Sequence, residues 1–223
     1  MAHWLDTVFL GFDSAILGAI HSFAVATNGF FTPFMYAVTC LANDGLGMIL
    51  LGLVLLLFRR TRKVGVCVLG AIIVGALITN VTLKPLVMRP RPYADETRVI
   101  HEWWVWIGSH KESIRSFPSG HTTSAMAAMT AIFLTTNKKY SWTAFLFALL
   151  MGFTRMYFVV HYPTDIIGGL LAGGIGALIA YFPIAYLWRV IEQHEDKKFF
   201  HFVLHFDIIA ATRSLFAKKD KNA

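Results

Sequence analysis

Charge is what this chain has least of. Asp, Glu, Lys and Arg make up only 15% of its 223 residues, against 56% hydrophobic residues, and the mean hydropathy is +0.58. An ordinary soluble domain of this size carries about 25% charged residues, so the composition argues for a protein integral to a membrane. Cysteine is scarce: Cys40 and Cys67 both lie in apolar stretches, without the partner spacing of a zinc site or a disulfide framework, and read as packing residues. No tandem repeat and no low-complexity linker divides residues 1–223, which leaves a single domain as the economical reading. No cationic leader or small-residue cleavage site accompanies Trp4–Ile20, which argues against a signal peptide. The net charge of +7 comes without a nucleic-acid recognition motif or an interleaved aromatic stripe, so nucleic acid is not an expected partner.

Long apolar runs are present instead. Val64–Leu83 has twenty residues and Ile166–Trp188 twenty-three without a charged side chain, each enough to cross a hydrocarbon core of about 30 Å as a helix. Gly120–Thr136 and Trp142–Val160 pass the same test apart from His121 and Arg155 near their ends. Gly45–Phe58 is short, but Arg59 and Arg60 can snorkel. Ala24–Ala42 is apolar enough to cross, yet Asn28, Gly29 and Pro33 interrupt it, so a broken or partly interfacial helix is expected there. Trp4–Ile20 carries Asp6 and Asp13 on an apolar pattern, and residues 1–22 read as an interfacial helix. The fold expected is therefore all-α: a polytopic bundle of five to six membrane helices with a catalytic outer loop.

Basic residues set the orientation. Arg59, Arg60, Arg62 and Lys63 fill one loop, Lys138 and Lys139 another, and seven more Lys or Arg follow Trp188, which puts 13 of the 20 basic residues in segments expected to be cytoplasmic. The loop Lys84–Pro118 and the turn around His161 then fall on the extracytoplasmic side of a multi-pass cell-membrane protein. That loop carries Lys84, Arg89, Arg91, Arg98, Lys111 and Arg115, against the usual bias. An anionic ligand would reward them.

Three clusters carry the chemistry. In KPLVMRPRP, residues 84–92, three prolines turn the chain back after Lys84, so the Lys84 ammonium and the planar Arg91 guanidinium can approach one phosphate from different directions. Arg89 reads as a snorkelling or loop charge. In FPSGHT, residues 117–122, Ser119 starts a helix, Gly120 admits a ligand to the backbone, and the free amides favour an anion beside His121. In TRMYFVVHYPTD, residues 154–165, Arg155 lies about 21 Å along its helix, near the same face. His161 and Asp165 are four apart across a proline turn, close enough for the carboxylate to accept one ring proton and leave the other nitrogen free to attack.

The order and spacing of these residues resemble the signature of the type 2 phosphatidic acid phosphatase superfamily: Lys84, six residues, Arg91 and Pro92; then Pro118, Ser119, Gly120 and His121; then Arg155, five residues, His161, three residues and Asp165. The resemblance covers about residues 45–188, with Thr154 where the family usually has Ser. It implies an α-helical, metal-independent phosphatase without a cofactor. His161 would take the phosphoryl group, Asp165 would orient it, His121 would protonate the leaving oxygen, and water would hydrolyse the phosphohistidine. Lys84, Arg91, Ser119, the Gly120 amide and Arg155 would bind the phosphoryl oxygens. The sequence lacks a carboxylate cluster suited to magnesium, so the positive charge comes from Lys and Arg. Soluble relatives that bind vanadate exist, but the spans argue against them and imply a membrane lipid substrate with water as co-substrate. Undecaprenyl diphosphate leads, phosphatidylglycerophosphate and phosphatidic acid are alternatives, and a lipid-phosphate binding or transport protein is the non-enzymatic one. The His161–Asp165 pair favours the enzyme, because a binder needs cations but no nucleophile.

Two segments stand outside this core. Trp103, Trp104, Val105 and Trp106 read as a loop that dips into the lipid interface, with a packed lid as the alternative. In the tail, residues 194–223, Phe199, Phe200, Val203, Phe206, Ile209 and Ala210 follow helical spacing beside Lys197, Lys198 and Arg213, as expected of an amphipathic helix on the cytoplasmic leaflet. The other seven histidines, His3, His21, His101, His110, His194, His201 and His205, receive no catalytic role.

Overall fold

The computed structural model describes residues 1–213, and residues 214–223 of the expected tail lie outside them. In chain order the helices are α1 (Ala2–Val8), α2 (Leu10–Ala26), α3 (Thr32–Cys40), α4 (Leu46–Leu56), α5 (Arg62–Ala76), α6 (Lys84–Val87), α7 (Val99–Trp106), α8 (Gly120–Thr135), α9 (Lys138–Ser141), α10 (Ala144–Tyr157), α11 (Pro163–Gln193) and α12 (Lys198–His205). A π-helical stretch, Leu77–Leu83, joins α5 to α6, so the chain stays helical from Arg62 to Val87.

Small side chains let the centre close. α11 packs on α8 and α5, and α8 packs on α5 and α10. Their shared core is built from residues such as Ala71, Ala125, Ala128, Ala131 and Ala177. At Gly173 a Cβ would stand 2.5 Å from the Thr123 carbonyl oxygen, and at Gly176 one would stand 2.7 Å from the Gly75 nitrogen. Backbone-to-backbone packing of this kind is how helices associate where lipid gives no hydrophobic drive. The outward faces are apolar: Ile167, Leu171, Ile175, Ile179 and Phe182 form an exposed stripe along α11, a surface that water would not tolerate. The protein is a membrane protein with an all-helical bundle fold.

By length and hydropathy, Arg62–Val87 and Pro163–Gln193 each suffice to cross a membrane, and α1 with α2 qualifies as a pair bent by 71°. α4, α8 and α10 coincide with expected spans but have only 11, 16 and 14 helical residues. Residues 24–42 form no single helix. The chain breaks at Asn28 and Gly29, both at positive φ, and restarts at α3 with Pro33 in its first turn, which is the broken form of the expectation. Residues 1–22 span two helices rather than one, and α2 packs on α10 and α11 with Asp13 buried.

The tail differs from its expected form. α12 ends at His205, and Phe206 adopts extended ψ, so residues 199–210 do not form one continuous amphipathic helix. The cause is a docking contact. Arg62, buried at the start of α5, donates to the Val203 and Phe206 carbonyls and, at 2.9 Å, to Leu56, while Ile208 N–H donates to the Leu57 carbonyl at 3.1 Å. Residues 103–106 are helix α7, not a loop. Trp104 is buried, stacks on Tyr93 at 4.3 Å and donates to the His110 carbonyl, whereas Val105 and Trp106 face outward.

Gly173→Ala should therefore destabilise the bundle by about 1–3 kcal/mol through overpacking against backbone. Gly174→Ala, whose new methyl would meet only the tip of Met126 at 3.8 Å, should be nearly neutral. Thermal unfolding in detergent separates the two, and equal midpoints would refute the close-packing argument.

Candidate active site

His161 sits in the turn between α10 and α11, and the local chain explains its fixed position. Val159 is held at φ 56°, a left-handed conformation that costs a β-branched residue strain. The turn persists because Tyr157, Phe158, Val160 and Tyr162 are packed into a second apolar core with α2, α3 and α7. Val160 N–H is tied to the Arg155 carbonyl at 3.1 Å. Tyr162 N–H donates to Asp165 Oδ2 at 2.9 Å, so the carboxylate caps the helix on which it stands.

The imidazole is gripped at both nitrogens. Nδ1 faces Asp165 Oδ2 at 3.3 Å, and Nε2 lies 2.8 Å from Arg91 Nη1. A guanidinium can only donate, so Nε2 is the acceptor and the ring proton belongs on Nδ1 toward Asp165. Burial first, then the cations of Arg91 and Arg155, hold the His161 pKa well below its ordinary 6.5. The ring is therefore neutral near pH 7, with its lone pair on the cationic side.

Arg91 donates from Nη1 to the Val160 carbonyl at 2.8 Å and from Nε to the Ser113 carbonyl at 2.8 Å. Arg155, buried in the last turn of α10, donates to Thr39 Oγ1 and to Glu112, and its buried Nε–H has no acceptor among the described residues. His121, in the first turn of α8, lines two cavities of about 170 Å³ each. One is shared with Lys84, Asn80 and Gly120, the other with Arg155, Glu112 and His110. A Cβ at Gly120 would stand 3.7 Å from Lys84 Nζ, so the ammonium lies beside the α8 amides. Ser119 is fully buried and caps α8: its Oγ accepts from Thr122 N–H at 3.4 Å and Thr122 Oγ1 at 3.0 Å. It keeps its own proton to donate, and its N–H ties the α8 start to the Asp165 carbonyl at 3.1 Å. The Thr154 hydroxyl is spent on the Met151 carbonyl at 2.7 Å, so it makes no contribution to the cationic wall. The eight sequence-selected residues thus surround one region where α5–α6, α8, α10 and α11 meet.

Arg89 corrects the sequence reading. It is no loop charge but a side chain 1% exposed, with Nη1 on Asp165 Oδ1 at 2.9 Å, Nη2 on Asp13 Oδ2 at 2.7 Å and Nε on Asp6 Oδ1 at 2.8 Å. Its face covers the Tyr162 ring at 3.9 Å. Burial disfavours its charge, but Asp165, followed by Asp13 and Asp6, more than offsets this and holds its pKa above the ordinary arginine value. Asp13 also accepts from Thr164 N–H at 3.0 Å and Thr164 Oγ1 at 2.8 Å. The available signal was a pair of acids, Asp6 and Asp13, in an otherwise apolar N-terminal segment, of which Asp13 is buried and needs a cation. Glu112 was also missed. Its pKa, which burial alone would raise, is kept below the usual carboxylate range by Arg155, then His121 and Arg91. Glu195, His201 and His205 bring potential metal-ligand atoms within 4.8 Å of one another, but beyond the opposite end of α11.

The chain has relatives among known proteins. Residues 65–189 match the model of the PAP2 superfamily. Undecaprenyl-diphosphatase BcrC of Bacillus subtilis is 32% identical over 156 residues, 70% of this chain and 76% of that protein. The lipid A 4'-phosphatase of Bacteroides thetaiotaomicron is 30% identical over 127 residues, 54% of this chain and about half (55%) of its own length. The crystal structure of Aquifex aeolicus LpxE superposes with a TM-score of 0.58 over 76% of this chain and 94% of that one, at 23% identity, a likeness of fold.

Arg89→Leu would leave Asp13 and Asp165 buried without their cation and should cost about 3–5 kcal/mol. Arg89→Lys, one ammonium where three carboxylates are bridged, should rescue only part of it. An unchanged unfolding midpoint in Arg89→Leu would show that the cluster holds nothing together.

Proposed function

The chain belongs to the PAP2 superfamily, and from that membership we propose a metal-independent lipid phosphatase that works through a phosphohistidine at the extracytoplasmic face of a multi-pass bundle. The reaction class is hydrolysis of a membrane lipid phosphate or diphosphate. The observation that most supports this mechanism is the two-sided grip on His161, Asp165 at Nδ1 and Arg91 at Nε2.

In this reading Nε2 attacks phosphorus while the bond to the leaving oxygen breaks, and His121 delivers a proton to that oxygen. Asp165 stabilises the positive charge that develops on the ring. Lys84, Arg91, Arg155, Ser119 and the amides at the start of α8 take the charge spread over the phosphoryl oxygens, the electrostatic task that dominates phosphoryl transfer. Water then cleaves the N–P bond, and inorganic phosphate leaves. Orientation is supported by the length of Arg62–Val87. The helical run from the basic Arg62 end to Lys84 rises on the order of 30 Å, which is consistent with the Arg59–Lys63 loop and the Lys84 side of the site lying at opposite faces.

Undecaprenyl diphosphate is the leading substrate, in line with the name of the Bacillus subtilis relative. Phosphatidylglycerophosphate and phosphatidic acid remain the alternatives, and the Bacteroides thetaiotaomicron relative adds a lipid A phosphate to the panel. A lipid-phosphate binding or transport protein would use the same cations, but it has no use for a carboxylate that orients a histidine.

The test uses the full chain in detergent with EDTA against those four lipids. Phosphate release should persist in EDTA and be fastest with undecaprenyl diphosphate. His161→Ala should abolish it without unfolding the protein, and His121→Ala should slow it by ~10² to 10⁴. Quenched wild-type enzyme should retain an acid-labile phosphate that the His161 variant lacks. A requirement for added magnesium, or wild-type turnover in His161→Ala, would overturn the mechanism.

A further inference from the structure

One carboxylate stands where the cations converge. Glu112 Oε1 accepts from Arg155 Nη2, and Oε2 lies 3.9 Å from Arg91 Nη2. These are the two guanidiniums that the proposed mechanism gives to the phosphoryl group. Glu112 is 26% exposed while Arg91 and Arg155 are 3–4% exposed, so it covers them from the open side. It borders the cavity lined by His121 and Arg155 and also a second of about 260 Å³ lined by Arg91, Tyr93 and Ile114. The segment that carries it, residues 108–119, has no helix or strand, and among the described residues the Glu112 backbone makes one hydrogen bond, its N–H to Tyr93 Oη at 3.1 Å. Arg91 and Arg155, by contrast, are fixed by the Ser113 and Val160 carbonyls and by Thr39.

We propose that Glu112 is an internal competitor for the phosphate site, a carboxylate that must swing off Arg91 and Arg155 before any phosphorylated headgroup can bind there. The inference rests on the assignment of Lys84, Arg91 and Arg155 as phosphate ligands. A site that must first expel its own anion binds every ligand more weakly by the same factor, the fraction of molecules with the carboxylate withdrawn. Relative affinities do not change, but occupancies do. The bilayer around the site is crowded with phosphodiester headgroups, each a single negative charge that regains no more Coulomb energy than Glu112 gives up. A terminal phosphate or diphosphate brings two or three charges to the same cations. The common penalty therefore pushes abundant monoanions below saturation and leaves the scarce polyanion able to bind. Return of the carboxylate would likewise help to expel product phosphate.

The experiment compares wild type with Glu112→Gln, which keeps the shape and an acceptor for Arg155 but removes the charge. Inhibition constants are measured for inorganic phosphate and for short-chain phosphatidylglycerol, together with KM for the best lipid substrate. All three should fall by a common factor of about tenfold, and kcat should fall where product release limits turnover. Glu112→Asp should stay closer to wild type. Unchanged or raised constants in Glu112→Gln would overturn the competitor, as would a lowered unfolding midpoint with no common factor, the mark of a purely structural residue. Arg155→Gln separates this failure from that of the parent assignment. If Arg155→Gln weakens phosphate inhibition while Glu112→Gln fails to strengthen it, only the competitor falls. If neither variant changes it, the phosphate site itself lies elsewhere.

Discussion

The buried guanidinium of Arg89 is the contact on which the active region depends. It joins the N-terminal pair of helices to the start of α11: Asp6 on α1 and Asp13 on α2 with Asp165. A single residue that satisfies three carboxylates does more than stabilise. It holds Oδ1 of Asp165 while Tyr162 N–H and His161 Nδ1 hold Oδ2, so the carboxylate cannot rotate away from the imidazole. The desolvation cost of such a cluster is repaid only because nearly every lone pair is used, including those that Asp13 gives to Thr164.

Charge is sorted across the histidine. On the Nδ1 side lie three carboxylates around one arginine, and on the Nε2 side lie Arg91 and Arg155 around one glutamate. A ring between these two fields is polarised along the direction in which it would attack: proton density is drawn toward Asp165, and the lone pair is left facing the cations. On the proposed extracytoplasmic orientation, the arrangement would also account for a basic loop that runs against the usual membrane bias. Of its six cations, Arg89 is neutralised structurally, and Lys84 and Arg91 face the proposed phosphate site. Half of the excess therefore has a defined partner or task.

Much of this was legible in the sequence for identifiable reasons. The helices α5 and α11 announced themselves because twenty or more uncharged residues have no other stable use. The convergence of Lys84, Arg91, His121, Arg155, His161 and Asp165 could be read because each stands at the end of an apolar run, and span ends at one face must be neighbours. What was hidden depends on tertiary detail. A lone Arg89 between prolines looks the same whether it snorkels or is buried, and only the position of Asp13, one helix face and 76 residues away, decides between them. Glu112 lies in a segment without periodicity, so nothing local says that it folds inward. Phe206 keeps helical spacing with Phe199, but the pull of Arg62 on the Val203 and Phe206 carbonyls ends the helix where propensity would continue it.

The glycines connect these levels. Lys84, His121 and Asp165 stand on the helical run α5–α6, on α8 and on α11, and they can meet only if these helices approach to backbone contact. Gly169 lies against the Ser119 carbonyl, where a Cβ would stand at 2.8 Å, and Gly173 lies one turn further along, against Thr123. A side chain at either position would push α11 away from the α8 N-terminus and so separate the His161 turn, proposed to carry the nucleophile, from His121, the proposed acid. A loss of 1 Å in that approach is enough to cost catalysis about two orders of magnitude. The small-residue seam therefore bears on the proposed site as much as on the fold: the approach of the start of α11 to the start of α8 runs through Gly169 and Gly173.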